Sequence, residues 1–77
     1  MTKFYISLNS ATSAKEFVNA VTKYPYDIDL TSGRYVVDAK SIMGIFSLDL
    51  SKPIGVVAHT DDASALKEDV RLFLTEE

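Results

Sequence analysis

The chain has no cysteine, which excludes a disulfide framework and any thiolate zinc site. Glycine occurs three times and proline twice, too few for collagen, a repeat array or a linker-rich architecture. No apolar run approaches the roughly 18–20 residues that a membrane-spanning helix needs. Positive charge is in the minority, with eight Lys and Arg against eleven Asp and Glu and a net charge of −3. That balance gives no electrostatic footprint for nucleic acid or for an anionic membrane. Met1-Thr2-Lys3-Phe4 opens no continuous apolar stretch and no small-residue cleavage site, so a cytoplasmic location is expected. What remains is 77 residues, 47% of them apolar. That length predicts one domain over residues 1–77, with a small core that buries about 60–65% of the unfolded surface. Its stability must come from regular elements packed on one another.

Hydrophobic periodicity gives their order. Phe4, Ile6 and Leu8 alternate with polar neighbours, the period of a half-buried strand. Asn9-Ser10-Ala11-Thr12-Ser13 is rich in helix-capping side chains, and Ser13 with Glu16 has capping-box spacing. Ala14, Phe17, Val18 and Val21 then share one helical face, and Pro25 ends the helix. Tyr26, Ile28 and Leu30 point one way and Asp27, Asp29 and Thr31 the other, so a second strand has one apolar and one wet face. Ser32-Gly33 turns the chain into a return strand, Arg34 to Ala39, centred on Val36-Val37. Ser41 caps a short helix with Ile42, Ile45, Phe46 and Leu48, in which Gly44 costs about 1 kcal/mol against alanine. Ile54 to Thr60 is apolar enough for a central strand. Asp61-Asp62 is placed to start a last helix with Leu66, Val70 and Phe73 as its stripe, flanked by Ala65 and Leu72, before Glu76-Glu77 fray.

The resulting order, β-α-β-β-α-β-α, predicts an α+β fold: a four-stranded antiparallel sheet with three helices on one face. Pattern alone leaves two such folds open, the ferredoxin-like plait and the open-faced β-sandwich. The short second helix and the appended third lean toward the sandwich.

The run Ala39-Lys40-Ser41-Ile42-Met43-Gly44-Ile45-Phe46-Ser47-Leu48 adds a resemblance. Lys-Ser-Ile-Met-Gly followed by Ser-Leu resembles HPr, the histidine-containing phosphocarrier of the bacterial sugar phosphotransferase system, especially its Gram-positive form. The similarity runs without gaps from Phe17-Val18 to Gly55-Val56-Val57 and more loosely through the last helix, so it implies the HPr-like open-faced β-sandwich. It also implies a phosphoacceptor histidine just before the first helix, followed by an arginine. In register from Phe17, Ser10 falls where that histidine is expected and Thr12 where the arginine is expected, in a loop two or three residues shorter than usual. Imidazole at a helix N-terminus suits phosphoryl transfer; the hydroxyls of Ser10, Thr12 and Ser13 have no general base near in sequence. They read as helix caps, and Lys15 as a solvated surface charge. The lone histidine, His59, sits in the fourth strand as an ordinary strand residue.

Ser41 matches the serine that an ATP-dependent kinase phosphorylates in Gram-positive HPr, after which a transcriptional regulator binds. The resemblance further implies that Ile42, Met43 and Phe46 form an exposed docking patch, while Ile45 and Leu48 face the core. Methionine suits such a surface because it repacks against different partners. Asp27, Asp29 and Asp38 read as a solvated acidic face, without the loop or histidine companions of a metal site. No glycine-rich phosphate loop or nucleophile–base pair is present, and no metal or cofactor is expected. The sequence therefore predicts a monomeric, non-catalytic regulatory or protein-binding module acting through Ser41–Phe46. Its partners are expected among phosphotransferase components, the HPr kinase or a transcriptional regulator, with neither nucleic acid nor membrane. The alternatives are a phosphocarrier with a displaced acceptor, His59 or Ser10, and a domain that keeps the fold alone.

Overall fold

Alternation builds the sheet, and its buried half marks where the core lies. In a computed structural model, which describes residues 1–76, β1 (Thr2–Ile6) buries Phe4 and Ile6 and β2 (Ile28–Ser32) buries Ile28 and Leu30. The return strand β3 spans Tyr35–Asp38, shorter at both ends than expected, and β4 spans Ile54–Ala58. Gly33, with φ +58°, makes the β2–β3 turn, a conformation a side chain opposes. The strands lie in the order β3-β2-β4-β1-β5, all paired antiparallel, so the apolar β4 is central as its composition predicted. The inward residues meet Phe17, Val21, Ile45, Leu48, Leu66 and Val70 of the helical layer in one core. Their alternates Lys3, Tyr5, Asp29, Thr31 and Val57 face away from it and stay partly or fully exposed.

Three helices form that layer: α1 (Ala11–Val21), α2 (Ile42–Phe46) and α3 (Ser64–Asp69). The helix ends differ from the periodicity reading at the start of α1 and at both ends of α3. The cap of α1 is Ser10, whose Oγ accepts from the Ser13 amide at 3.0 Å; the Ser13–Glu16 capping box does not form. Ala11 and Thr12 are exposed, so this first turn carries no apolar signal.

The second difference is larger. α3 stops at Asp69, a 3₁₀ turn follows at Arg71–Phe73, and Leu74–Thr75 form a fifth strand, β5, against Tyr5 and Ile6 of β1. Four strands and a longer last helix were expected. Leu66 and Val70 are buried as predicted and Phe73 packs on the core, but Leu72 is 89% exposed. Backbone pairing with the open edge of β1 replaces the helical bonds that the last turn would have made. Glu77 lies outside the described residues. At the start of α3 the N-cap is Ala63, and Asp62 acts from one residue earlier. Its Oδ1 accepts from the Ser64 hydroxyl at 2.6 Å and the Ser64 amide at 3.0 Å, contacts that hold the Asp62 carboxyl below the usual carboxylate range.

One polar clip joins α3, the segment between α1 and β2, and Lys40 in the link from β3 to α2. The Tyr24 hydroxyl donates to the Asp69 carboxylate, and the Lys40 ammonium donates to the carbonyls of Tyr24 at 2.6 Å and Tyr26 at 3.0 Å. The bond to Asp69, with a part from burial, pushes the Tyr24 hydroxyl from 10.0 up to about 12. A raised folded-state value means that this contribution to stability is complete below the unfolded value and is lost as pH rises through the folded one. Denaturant midpoints should therefore fall between pH 10 and about 12, and Tyr24→Phe should flatten that fall. Tyr26, raised first by burial, leaves a residual slope. Identical pH profiles for the two proteins would rule out the Tyr24–Asp69 bond in solution.

Candidate functional site

Two surfaces carry the residues singled out by the sequence. The first is the loop from β1 into α1. Leu8 is fully buried and pins the loop, while the Ser7 amide donates to the Phe73 carbonyl at 2.8 Å. Beyond it the hydroxyls bond to one another. Ser10 Oγ donates to Ser13 Oγ at 3.0 Å, and Ser13 Oγ donates to Asn9 Oδ1 at 3.2 Å. The Ser10 carbonyl accepts the first helical bond, from the Ala14 amide at 3.1 Å. An N-cap of this kind contributes about 1 kcal/mol to stability. A cleft of about 370 Å³ opens here, with Asn9, Ser10 and Ala11 on one wall and Leu50 and Ser51 on the other. None of the side chains lining it is ionisable. Thr12 and Lys15 are exposed on α1.

His59 is elsewhere. It follows β4, its amide donates to the Asp27 carbonyl at 2.9 Å, and its Nε2 lies 2.8 Å from Asp29 Oδ2. Pairing of Thr2 with Ala58 and of Ile6 with Ile54 puts His59 at one end of these strands and the Ser10 loop at the other. The intervening length of β1 is about 13 Å. Asp29 stands opposite Asp38 in the β2–β3 register, and Asp38 Oδ1 accepts from the Lys40 amide at 2.9 Å. Among the described residues no group of three or more His, Asp or Glu is placed to hold a metal ion.

The second surface is α2. Ser41 is its N-cap and accepts from the Gly44 amide at 3.2 Å. Ile45 is buried and Leu48 nearly so, whereas Met43 is 77% and Phe46 42% exposed, with Ile42 partly covered. The helix thus turns Ile45 inward and presents Met43 and Phe46 outward, while Ile42, which the resemblance implied to be exposed with them, packs partly against the core. Gly44 has a packing role that spacing alone did not disclose. A Cβ there would lie 3.2 Å from Val37 Cβ and 3.4 Å from Ser41 Oγ, so glycine lets α2 lie close on β3. The proximity of Leu50 and Ser51 to Ser10 was also hidden, because both sit in a loop with no periodic signal.

A family model for the "PTS HPr component phosphorylation site" matches residues 10–76. The chain belongs to the HPr family. That span takes in the Ser10 loop, α2 and the last helix. Among solved structures, HPr-C-His from Thermoanaerobacter tengcongensis is 31% identical with a TM-score of 0.79, over 95% of this chain and 91% of that one. The phosphocarrier protein HPr from Bacillus anthracis str. Ames shares the fold at 24% identity and a TM-score of 0.73, over 96% of each chain. No curated protein sequence matches. These HPr neighbours decide between the two folds left open by periodicity, in favour of the open-faced sandwich. HPr is a phosphocarrier that interacts with other protein components of the phosphotransferase system rather than an enzyme in its own right. In this HPr-family chain no described helix is long and apolar enough to cross a membrane.

Proposed function

We propose that this HPr-family chain is a non-catalytic regulatory or protein-binding module that works as a cytoplasmic monomer through its Ser41–Phe46 surface. The observation that supports it most is the use of Ser10. It stands where the family's phosphoacceptor histidine is expected, and its hydroxyl caps α1 beside a cleft lined by no ionisable side chain. Thr12, at the arginine position, brings no cation. His59, at the far end of the strands and bonded to Asp29, is poorly placed to substitute.

The other half of the proposal is Ser41 with Ile42, Met43 and Phe46. A phosphate on Ser41 Oγ lies at the start of α2, where amide groups point toward added negative charge. The exposed Met43 and Phe46 adjoin it on the same short helix, so one partner can read phosphate and apolar patch together. The modification transfers the γ-phosphoryl group of ATP to Ser41 Oγ and releases ADP and a proton.

Incubation with ATP and the HPr kinase, followed by intact mass and peptide mapping, tests the regulatory serine. One added phosphate is expected, and none in Ser41→Ala. A folded sample that stays unmodified leaves Ser41 as a helix cap and removes the regulatory reading. Phosphoenolpyruvate with enzyme I tests the other half: label on the protein would overturn the non-catalytic assignment. Met43→Asp should abolish binding to the phosphorylation-dependent partner without unfolding the chain.

A further inference from the structure

Lys3, Arg34 and Lys52 form none of the ion pairs among the described residues, although acids outnumber bases in the chain. All three border two adjoining clefts where β2 turns into β3. One cleft, about 440 Å³, lies on the outer face of the sheet and is lined by Lys3, Tyr5, Thr31, Lys52 and Gly55 among others. It has no carboxylate in its lining. The other, about 630 Å³, runs past Arg34, Tyr35, Ser47 and Asp49. Lys52, Ser32 and Gly33 belong to both, so Lys52 stands between them.

The floor of the first cleft is kept clear by Gly55. A Cβ there would overlap Thr31 Oγ1 and come within 3.4 Å of Lys3 Cε and 3.5 Å of Tyr5 Cε1. Lys3 leans along its strand, with its ammonium 5.4 Å from the Tyr5 ring centroid. Asp49, the one carboxylate at the second cleft, is engaged by the hydroxyl of Ser51 at 2.5 Å and its amide at 3.0 Å. Negative charge is gathered at the far end of the strands from Arg34 and Lys52, while Lys3, rooted in the row of Val57 and Asp29, reaches with its side chain toward Tyr5 and away from that end. Ile28 pairs with Ala58 there, next to Asp27, Asp29 and the Asp61-Asp62 pair. A separation of this kind attracts an anion to the basic end. Each cleft taken alone falls within the range of about 300–1,000 Å³ common for small-ligand sites.

We propose that these joined clefts bind a small phosphate monoester with a hydroxyl-bearing ring. The phosphate lies over Gly55 between Lys3 and Lys52. The ring extends past Lys52 toward the exposed Tyr35, where Arg34 donates to its hydroxyls and Asp49 accepts from them. The site shares no residue with Ser10 or with the Ser41–Phe46 surface, so it stands whether or not that surface is regulatory.

Adenosine 5′-monophosphate is the probe, titrated into ¹⁵N-labelled protein at low ionic strength, with inorganic phosphate as the control lacking a ring. Saturable amide shifts are expected at Tyr5, Gly33, Lys52 and Gly55, with weaker binding of inorganic phosphate. Lys3→Gln and Lys52→Gln, both exposed positions, should each weaken binding about threefold to fivefold, as for solvent-facing charge pairs, while keeping a dispersed spectrum. Shifts that do not saturate, or that spread equally to Lys15 and Lys67, overturn the site. Unchanged binding in folded Lys52→Gln does the same. Inorganic phosphate binding as tightly as the nucleotide overturns the ring contacts and with them the proposed ligand class.

Discussion

Phe17→Ala is expected to lower stability by about 3–5 kcal/mol, the usual loss for an aromatic ring removed from a core. A chain of this length has about 4–12 kcal/mol in total, so the variant should unfold at far lower urea concentration. Phe17 is fully buried, and it stands on α1 between Ala14 and Val21, which are themselves fully buried and anchor the helix to the sheet. α1 therefore cannot settle into the space left behind. The ring also meets Phe73 edge-on, with centroids 6.1 Å apart and planes at 84°, a favourable aromatic geometry. Phe73 leads directly into β5, so loss of the ring should also loosen that strand. The check is a urea titration by circular dichroism, with amide exchange at Leu74 and Thr75 as a local reading. A loss under about 1 kcal/mol would mean that the site collapses without a cavity.

Gly55→Ala should be the next most damaging change, at about 1–3 kcal/mol for an overpacked position. The new methyl would meet Thr31 Oγ1 on the paired strand β2, with Lys3 Cε and Tyr5 Cε1 at 3.4 and 3.5 Å on the β1 side. Lys3 can swing away, being a long exposed side chain. Thr31 is β-branched in a strand interior and has little freedom to turn. The expectation is therefore specific: Gly55→Ala with Thr31→Ala should be more stable than Gly55→Ala alone. The coupling is read from a double-mutant cycle of unfolding free energies. Additive losses would place the strain elsewhere.

The strands were legible because two of them alternate cleanly. Ile28 and Leu30 face in and Asp29 and Thr31 out, and a solvated outer face makes that contrast visible in the residues themselves. β4 was legible for the opposite reason, since a central strand needs apolar residues almost throughout. α1 was found but misplaced at its start, because Asn9-Ser10-Ala11-Thr12-Ser13 offers several caps and its exposed first turn has no apolar periodicity to choose among them. The last helix was overextended. Leu66, Val70 and Phe73 fit a helical stripe, and they reach the core in the structure as well. What ends the helix is the open edge of β1, a partner remote in sequence that no local pattern reveals. Around Ser41 the motif pointed to Met43 and Phe46 as outward side chains of α2, and both are exposed, whereas Ile42, expected beside them, packs partly against the core. The use of Ser10 as the cap was not, and neither was the convergence of Lys3, Arg34 and Lys52, which belong to three distant segments.

The pairing of β1 has a consequence for how the chain acquires its structure during synthesis. Both of its partners arrive late: β4 follows it by about fifty residues and β5 by about seventy, separations that slow folding because long loops must close first. Until Ile54–Ala58 has left the ribosome, Phe4 and Ile6 have no strand to sit beside. The β2–β3 hairpin, by contrast, needs only its own turn at Gly33. A nascent chain stalled before β4 should therefore keep its apolar leading strand exposed, and such a strand is what chaperones and aggregates compete for.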